Sequence, residues 1–207
     1  NDVFLKKDAL KLLEKRFVLN RNIDAIALNV MRGDTGKSET EGWRSDFSIL
    51  HGAAAVIKKC VLREVGGYDK GYFIVHTDLE LATRILNSGY KIFYDKDIIA
   101  YHFRAKEARL GALSLFYSTR NSIFYYWKYY PYGYALILSL RETVYGLVRA
   151  IKQGGGFYFL KGLFAGFIGV PNILHNRTPS KKGLLPCMKL YIDSLFREPV
   201  INKVILK

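Results

Sequence analysis

Apolar positions along residues 3–19 recur at near-helical spacing. Leu5, Ala9, Leu12, Leu13 and Phe17 fall on one side and Lys6, Lys7, Lys11 and Lys15 on the other, which predicts an amphipathic helix. Residues 24–31 are short and almost wholly apolar, the pattern of a buried strand. A polar loop with Gly33, Gly36 and Gly42 follows over 32–46. Residues 49–57 predict a second strand, broken by Gly52 and three alanines whose small side chains admit a close neighbour. Residues 61–65 predict a short helical turn ended by Gly66-Gly67. An aromatic loop spans 68–76. The segment 77–88 predicts a helix with Leu79, Ala82, Ile85 and Leu86 on one face and Gly89 as its stop. Residues 90–94 and 98–102 predict two strand segments around an Asp95-Lys96-Asp97 turn. Strands alternating with helices imply an α/β layered core over residues 1–108.

Beyond Arg104 the pattern changes. Residues 109–130 predict a long helix broken by Pro131. A second helix is predicted over 133–152, ended by Gly154-Gly155-Gly156. Residues 157–174 are strongly apolar, but Lys161 and Pro171 interrupt them, so a helix lying in or re-entering a membrane interface is expected rather than a clean span. The division is therefore an α/β unit at 1–108 and a helical, basic, aromatic region at 109–207.

Charge sharpens that division. Residues 1–100 hold 16 Lys/Arg against 14 Asp/Glu, and residues 101–207 hold 16 against 4. A basic, aromatic and apolar segment suits an anionic membrane surface. Nucleic acid is the competing partner for such charge, but the basic residues are interleaved with long apolar stretches and no nucleic-acid motif is present, so none is expected. Cys60 and Cys187 lie far apart with no metal spacing, which fits a reducing, cytoplasmic compartment. The chain begins at Asn1, with neither Met nor a secretory leader, so it reads as a piece of a longer protein.

The chemistry-bearing residues concentrate in 52–102. Gly52-Ala53-Ala54, Gly66-Gly67-Tyr68-Asp69, Thr77-Asp78-Leu79-Glu80, Arg84, Gly89-Tyr90 and His102 follow in order. Asp78 opens a helix. By itself such an acid is a helix cap. The functional alternative is a general base, which the positive end of a helix keeps ionised. Two other motifs fail. Gly33-Asp34-Thr35-Gly36-Lys37-Ser38 has Met31 where a phosphate loop needs its first glycine, and no apolar helix follows it. Histidines 51, 76, 102 and 175 lack zinc spacing.

The ordered motifs resemble the C-terminal half of the catalytic domain of family-2 inverting glycosyltransferases, above all the rhamnosyltransferase-like branch. The resemblance covers about residues 1–130. It implies a partial GT-A fold, a Rossmann-like mixed sheet with flanking helices, followed by an α-helical C-terminal region. It makes Asp78 the base that deprotonates an acceptor hydroxyl. Thr77 stands where the family usually has Glu, and Gly52, Gly67 and Thr77 become supporting residues. Asn1-Asp2 resembles the tail of an Asp-x-Asp motif, so Asp2 and His102 are expected to hold Mg2+ or Mn2+, with Asp the residue expected before Asn1. Arg104 (with Lys106) and Arg120 are expected to meet the donor diphosphate. The companion Asn121 is left between helix packing and a phosphate contact. Trp43, Tyr68, Asp69 and Tyr72 are expected at the acceptor cleft, and packing is favoured for Phe73.

The implied partners are a nucleotide-diphosphate sugar, a glycan or lipid-linked acceptor of a bacterial surface polysaccharide, and the cytoplasmic face of a membrane, met peripherally or monotopically. The half that grips the nucleotide base would lie upstream, so residues 1–207 alone are expected to be inactive. The competing readings are a nucleic-acid-binding module and a membrane scaffold carrying a non-catalytic remnant.

Overall fold

The computed structural model describes residues 2–43, 49–103, 111–179 and 188. It is a mixed α/β unit followed by a helical C-terminal part. Four strands, β1 (Val3–Leu5), β2 (Ala25–Arg32), β3 (Ala55–Ile57) and β4 (Ile92–His102), make one sheet in the order β1-β4-β2-β3. The central pair β2 and β4 runs parallel, and both edge strands are antiparallel.

Because β2 is covered on both faces, it has no polar side. Ile26, Leu28 and Val30 pack with Ala9 and Leu13 of helix α1 (Ala9–Leu19). Ala25 packs on the other face with Val61 of α2 (Lys59–Val65) and Leu81, Ala82 and Ile85 of α3 (Thr77–Asn87). A near-continuous apolar run is what a strand buried on both faces requires.

Three long helices complete the chain: α4 (Leu113–Tyr129), α5 (Tyr132–Gln153) and α6 (Gly156–His175). Tyr125, Tyr126, Tyr129 and Tyr130 form a buried aromatic cluster with Tyr72, Leu79 and Leu138, and this cluster cements α4 to α3 and α5. Two polar links cross the same seam. Thr83 Oγ1 and the Tyr125 hydroxyl are 2.7 Å apart, and the Tyr129 hydroxyl donates to Glu80 at 2.6 Å.

Several elements differ from the sequence expectation. Residues 3–5 are not helical; they add an edge strand to β4, and α1 starts only at Ala9. The strand expected over 49–57 is confined to Ala55–Ile57, because a turn closed by the Ala54 N–H on the His51 carbonyl occupies 51–54. The two segments expected around Asp95-Lys96-Asp97 are one strand. It absorbs these residues as a register shift opposite Leu28 and Asn29, where Arg16 of α1 pairs with Asp95 and Asp97. Pro171 lies inside α6 and does not end it.

Candidate functional site

The pairing of β1 with β4 builds the first half of the site. Val3 stands opposite His102, so Asp2 arrives beside the histidine, and the Phe103 N–H donates to the Asp2 carbonyl at 2.7 Å. His102 Nε2 is 3.3 Å from Asp2 Oδ2. Its Nδ1 is 3.3 Å from Glu39 Oε2, and His51 Nε2 is 3.5 Å from the same Glu39 oxygen. Glu39 reaches this point because the chain turns back after β2, with Ser38 bridging to Met31 and the Glu39 N–H donating to the Val30 carbonyl at 2.7 Å.

The start of α3 builds the second half. Residues 73–76 enter the helix through a strained loop in which Phe73, Val75 and His76 have φ of 58°, 64° and 64°. Non-glycine residues held there cost about 1–3 kcal/mol each. A clamp from α4 holds them. The Asn121 amide, fully buried, donates to the carbonyls of Tyr72, Ile74 and Val75 at 2.8, 2.6 and 2.9 Å. Arg120 donates to the carbonyls of Gly71 and Tyr72 and to Asn121 Oδ1. Asn121 therefore neither fills space between helices nor faces a cleft; it shapes the loop that delivers Asp78.

Asp78 is half-buried. Burial pushes its carboxyl above the ordinary range, while hydrogen bonds from Thr77 Oγ1, the Tyr68 hydroxyl and the Gly52 N–H pull it down. Gly52 makes room for the carboxylate where it stands: a Cβ there would sit 2.4 Å from Asp78 Oδ2, and the side chain would have to shift.

Asp2, Trp43, His51, Gly52, Asp78 and His102 line one cleft of about 650 Å3. A second cleft of about 610 Å3 lies on the other side of Asp78 and Gly52, lined among others by Tyr68, Asp69, Phe73 and Thr77. One carboxylate thus opens onto two cavities, with a carboxylate–histidine pair in the first and an exposed aromatic rim on the second.

Among the described residues, no group of three or more His, Cys, Asp or Glu side chains is arranged to hold a metal ion. Asp2 and His102 offer two donors. Glu39 engages Nδ1 and leaves Nε2 toward Asp2, the arrangement by which a carboxylate orients a metal-binding imidazole. Adjacent ligands of an octahedral cation lie about 3 Å apart when its bonds are about 2.1 Å, close to the observed separation. The pair fits a cation that draws its remaining ligands from phosphate oxygens and water.

The other expected residues fare unevenly. Trp43, expected at the acceptor cleft, does not line the cleft of Tyr68 and Asp69; it lines the first cleft, beside Asp2 and His102, and packs on Tyr94 and His51, with ring centroids 5.5 and 5.9 Å away. Tyr68 and Phe73 are exposed at the second cleft, Phe73 lying 5.2 Å from the Tyr117 ring. Tyr72, expected at the acceptor cleft, is 1% exposed and sits in the aromatic core, so the expectation for these neighbours is reversed. The positive φ at Phe73 accompanies this reversal. Asp69 lines the second cleft but is engaged, accepting from the Gly71 N–H at 2.8 Å and pairing with Lys128 at 3.0 Å. Burial raises its carboxyl, and those partners outweigh it, leaving it below the usual range. Arg120 has its donors turned to the loop carbonyls and its guanidinium over Phe116, Tyr117 and Phe124. Gly67 accepts from Arg84 through its carbonyl, and a Cβ there would meet nothing within 4 Å; the positive φ of 81° belongs to Gly66. Arg104 and Lys106 lie outside the described residues.

Three residues at or behind the site had no role assigned from the sequence: Glu39, His51 and Glu80. Glu80 is fully buried and is bound by Arg84, Lys128 and Tyr129, and Arg84 in turn caps the carbonyls at the end of α2. This ion cluster fixes α3 against α2 and α4. Its sequence trace is the Glu80–Arg84 spacing of four. Nothing local marks Glu39, which reaches the site only through the chain reversal after β2.

No family model and no curated protein matches the chain.

Proposed function

We propose that this chain carries the acceptor-side half of an inverting, nucleotide-diphosphate-sugar-dependent glycosyltransferase of the family-2 type, built on a partial GT-A fold. The observation that carries the reading is the position of Asp78 between two clefts, one holding the Asp2–His102 pair and the other rimmed by Tyr68 and Phe73. In this reading the diphosphate of the donor lies in the first cleft and an acceptor sugar lies against the aromatic rim of the second, where ring faces suit it.

Asp78 takes the proton of the acceptor hydroxyl. The acceptor oxygen forms its bond to the anomeric carbon as the bond from that carbon to the diphosphate breaks on the opposite face, which inverts the configuration. The base works because it is held. Gly52, Tyr68 and Thr77 fix the carboxylate, and its partial desolvation raises its affinity for the proton it must accept. Asp2 and His102 would hold Mg2+ or Mn2+, which when bound supplies positive charge against the diphosphate. Glu39 orients His102 for that task.

The test is transfer from UDP-, GDP- and dTDP-sugars by the product of the full reading frame, with the anomeric configuration of the product read by NMR. Inversion that needs a divalent cation and is lost in Asp2→Ala or His102→Ala supports the reading. Retention of configuration, or cation-independent transfer that survives both changes, refutes it.

A further inference from the structure

Among the described residues, helix α6 is bound on one side only. Its glycines Gly162, Gly166 and Gly169 let it meet α4 at backbone distance: added Cβ atoms would lie 2.6 Å from the Phe116 carbonyl oxygen, 2.7 Å from Ile123 and 2.5 Å from Phe124. Its outward positions are large and bare, with Phe157, Leu160, Phe164 and Ile168 exposed by 60–72%. On α5 a second bare stripe runs Ile137, Leu140, Val144, Leu147, Ile151, exposed by 47–72%. Exposed apolar surface of this extent marks a partner.

Two occupants compete. The α5 stripe has the 3-4-3-4 spacing of a coiled-coil seam, with β-branched residues alternating with leucine, which would suit a second copy of this chain. Charge decides against it. Residues 111–179 carry seven Lys/Arg and one acid, the buried Glu142; with Arg149 paired to Glu142 and Lys128 to Asp69 and Glu80, a positive excess remains. Two copies of this bundle would repel each other, whereas an anionic surface attracts it.

We infer that the outward faces of α5 and α6 dock on an anionic lipid bilayer, with the exposed Phe, Leu and Ile side chains in the interface and Lys152 and Lys161 toward the headgroups. By length and composition α6 is able to cross a membrane. The geometry points instead to a helix lying in the plane. Its glycine face is joined to α4 over two turns, and α4 carries buried Thr119, Asn121 and Ser122 and is bonded to α3 through Glu80 and Thr83. A spanning α6 would have to leave α4 or drag those polar groups into hydrocarbon. Interfacial helices bury only their outer face, by about 5–10 Å.

The experiment is flotation of the purified protein with phosphatidylcholine vesicles and with vesicles containing about 30% phosphatidylglycerol, at about 0.1 M and about 1 M salt. Binding is expected to the anionic vesicles, with a part that survives high salt. Phe157→Ser and Phe164→Ser, at exposed positions, should each weaken it about tenfold, with the thermal midpoint unchanged. Lys152→Glu with Lys161→Glu should weaken binding to anionic vesicles and leave the zwitterionic baseline as it was. Three results overturn the inference: no vesicle binding by the intact protein, binding that vanishes at high salt and ignores the phenylalanines, or a dimer in light scattering that Val144→Glu dissociates while vesicle binding is untouched.

Discussion

Gly52→Ala is the sharpest perturbation the site offers. The glycine has no positive φ, so alanine is allowed by the backbone; the obstacle is the Asp78 carboxylate. An added Cβ would stand 2.4 Å from Oδ2, 2.8 Å from Oδ1 and 2.9 Å from Cγ, whereas ordinary contact begins at 3.4 Å. The carboxylate must therefore retreat by about 1 Å, a misplacement that costs about a hundredfold in rate, or about 2.7 kcal/mol of activation free energy. The retreat also strains the hydrogen bond from the Gly52 N–H. The fold should hold, since Gly52 lines both clefts and lies outside the core clusters. The assay is kcat/KM for sugar transfer beside the thermal midpoint, with Gly67→Ala as control, where a Cβ meets nothing within 4 Å. A Gly52→Ala protein keeping more than half its activity, or a Gly67→Ala protein losing as much, refutes the claim that the carboxylate must stay where Gly52 lets it.

Other perturbations test the supports. Asn121→Ala removes a buried amide that serves three loop carbonyls, so stability should fall by roughly 2–4 kcal/mol and transfer should fall further than stability explains; chemical denaturation and kinetics together read this. Tyr68→Phe deletes a donor that favours the ionised Asp78, so the acid limb of the kcat/KM profile should move to higher pH, and a move to lower pH would contradict the assignment. Glu142 is raised from 4.5 to about 7 because burial outweighs Arg149, whose side chain is 44% exposed and so largely screened by water. A raised folded value means stability that is complete below about pH 4.5 and lost as pH rises through 7, roughly 3 kcal/mol in all. Glu142→Gln should lack this fall, so the stability difference between the two proteins should change as pH rises from 4.5 through 7, and parallel denaturation curves would refute burial as the dominant effect.

Much of the α/β part was legible. The β2 run is almost wholly apolar and α3 is strongly periodic, and both formed within two residues of expectation. Two of the errors share a cause, which is that pairing partners lay far away in sequence; the shortened strand at 49–57 comes instead from a local turn at 51–54. Residues 3–5 look helical beside α1 but meet an open edge of β4, about a hundred residues on. Asp95-Lys96-Asp97 looks like a turn, yet Arg16 neutralises the two acids and the strand runs through. At the site, Asp2, Asp78, His102 and Gly52 line one cleft, and Trp43, expected at the acceptor cleft beside Tyr68 and Asp69, lines that cleft with them. Glu39 and His51 come from a polar loop and a turn without a local signature, and only the reversal after β2 brings Glu39 to His102. The exchange of Tyr72 and Phe73 turns on backbone strain that no hydrophobic pattern encodes. Asn121 takes its role from the same strained loop, which only the tertiary structure reveals.

Asp78→Asn decides the matter most directly, because it keeps the shape of the side chain and removes its basicity. The account predicts transfer reduced by about a thousandfold or more, with donor binding by calorimetry within about threefold of the unaltered protein and the acid limb of the pH profile gone. Transfer at an undiminished rate would show that some other group takes the proton, and the roles assigned to Gly52, Tyr68 and the clamped loop would fall with it.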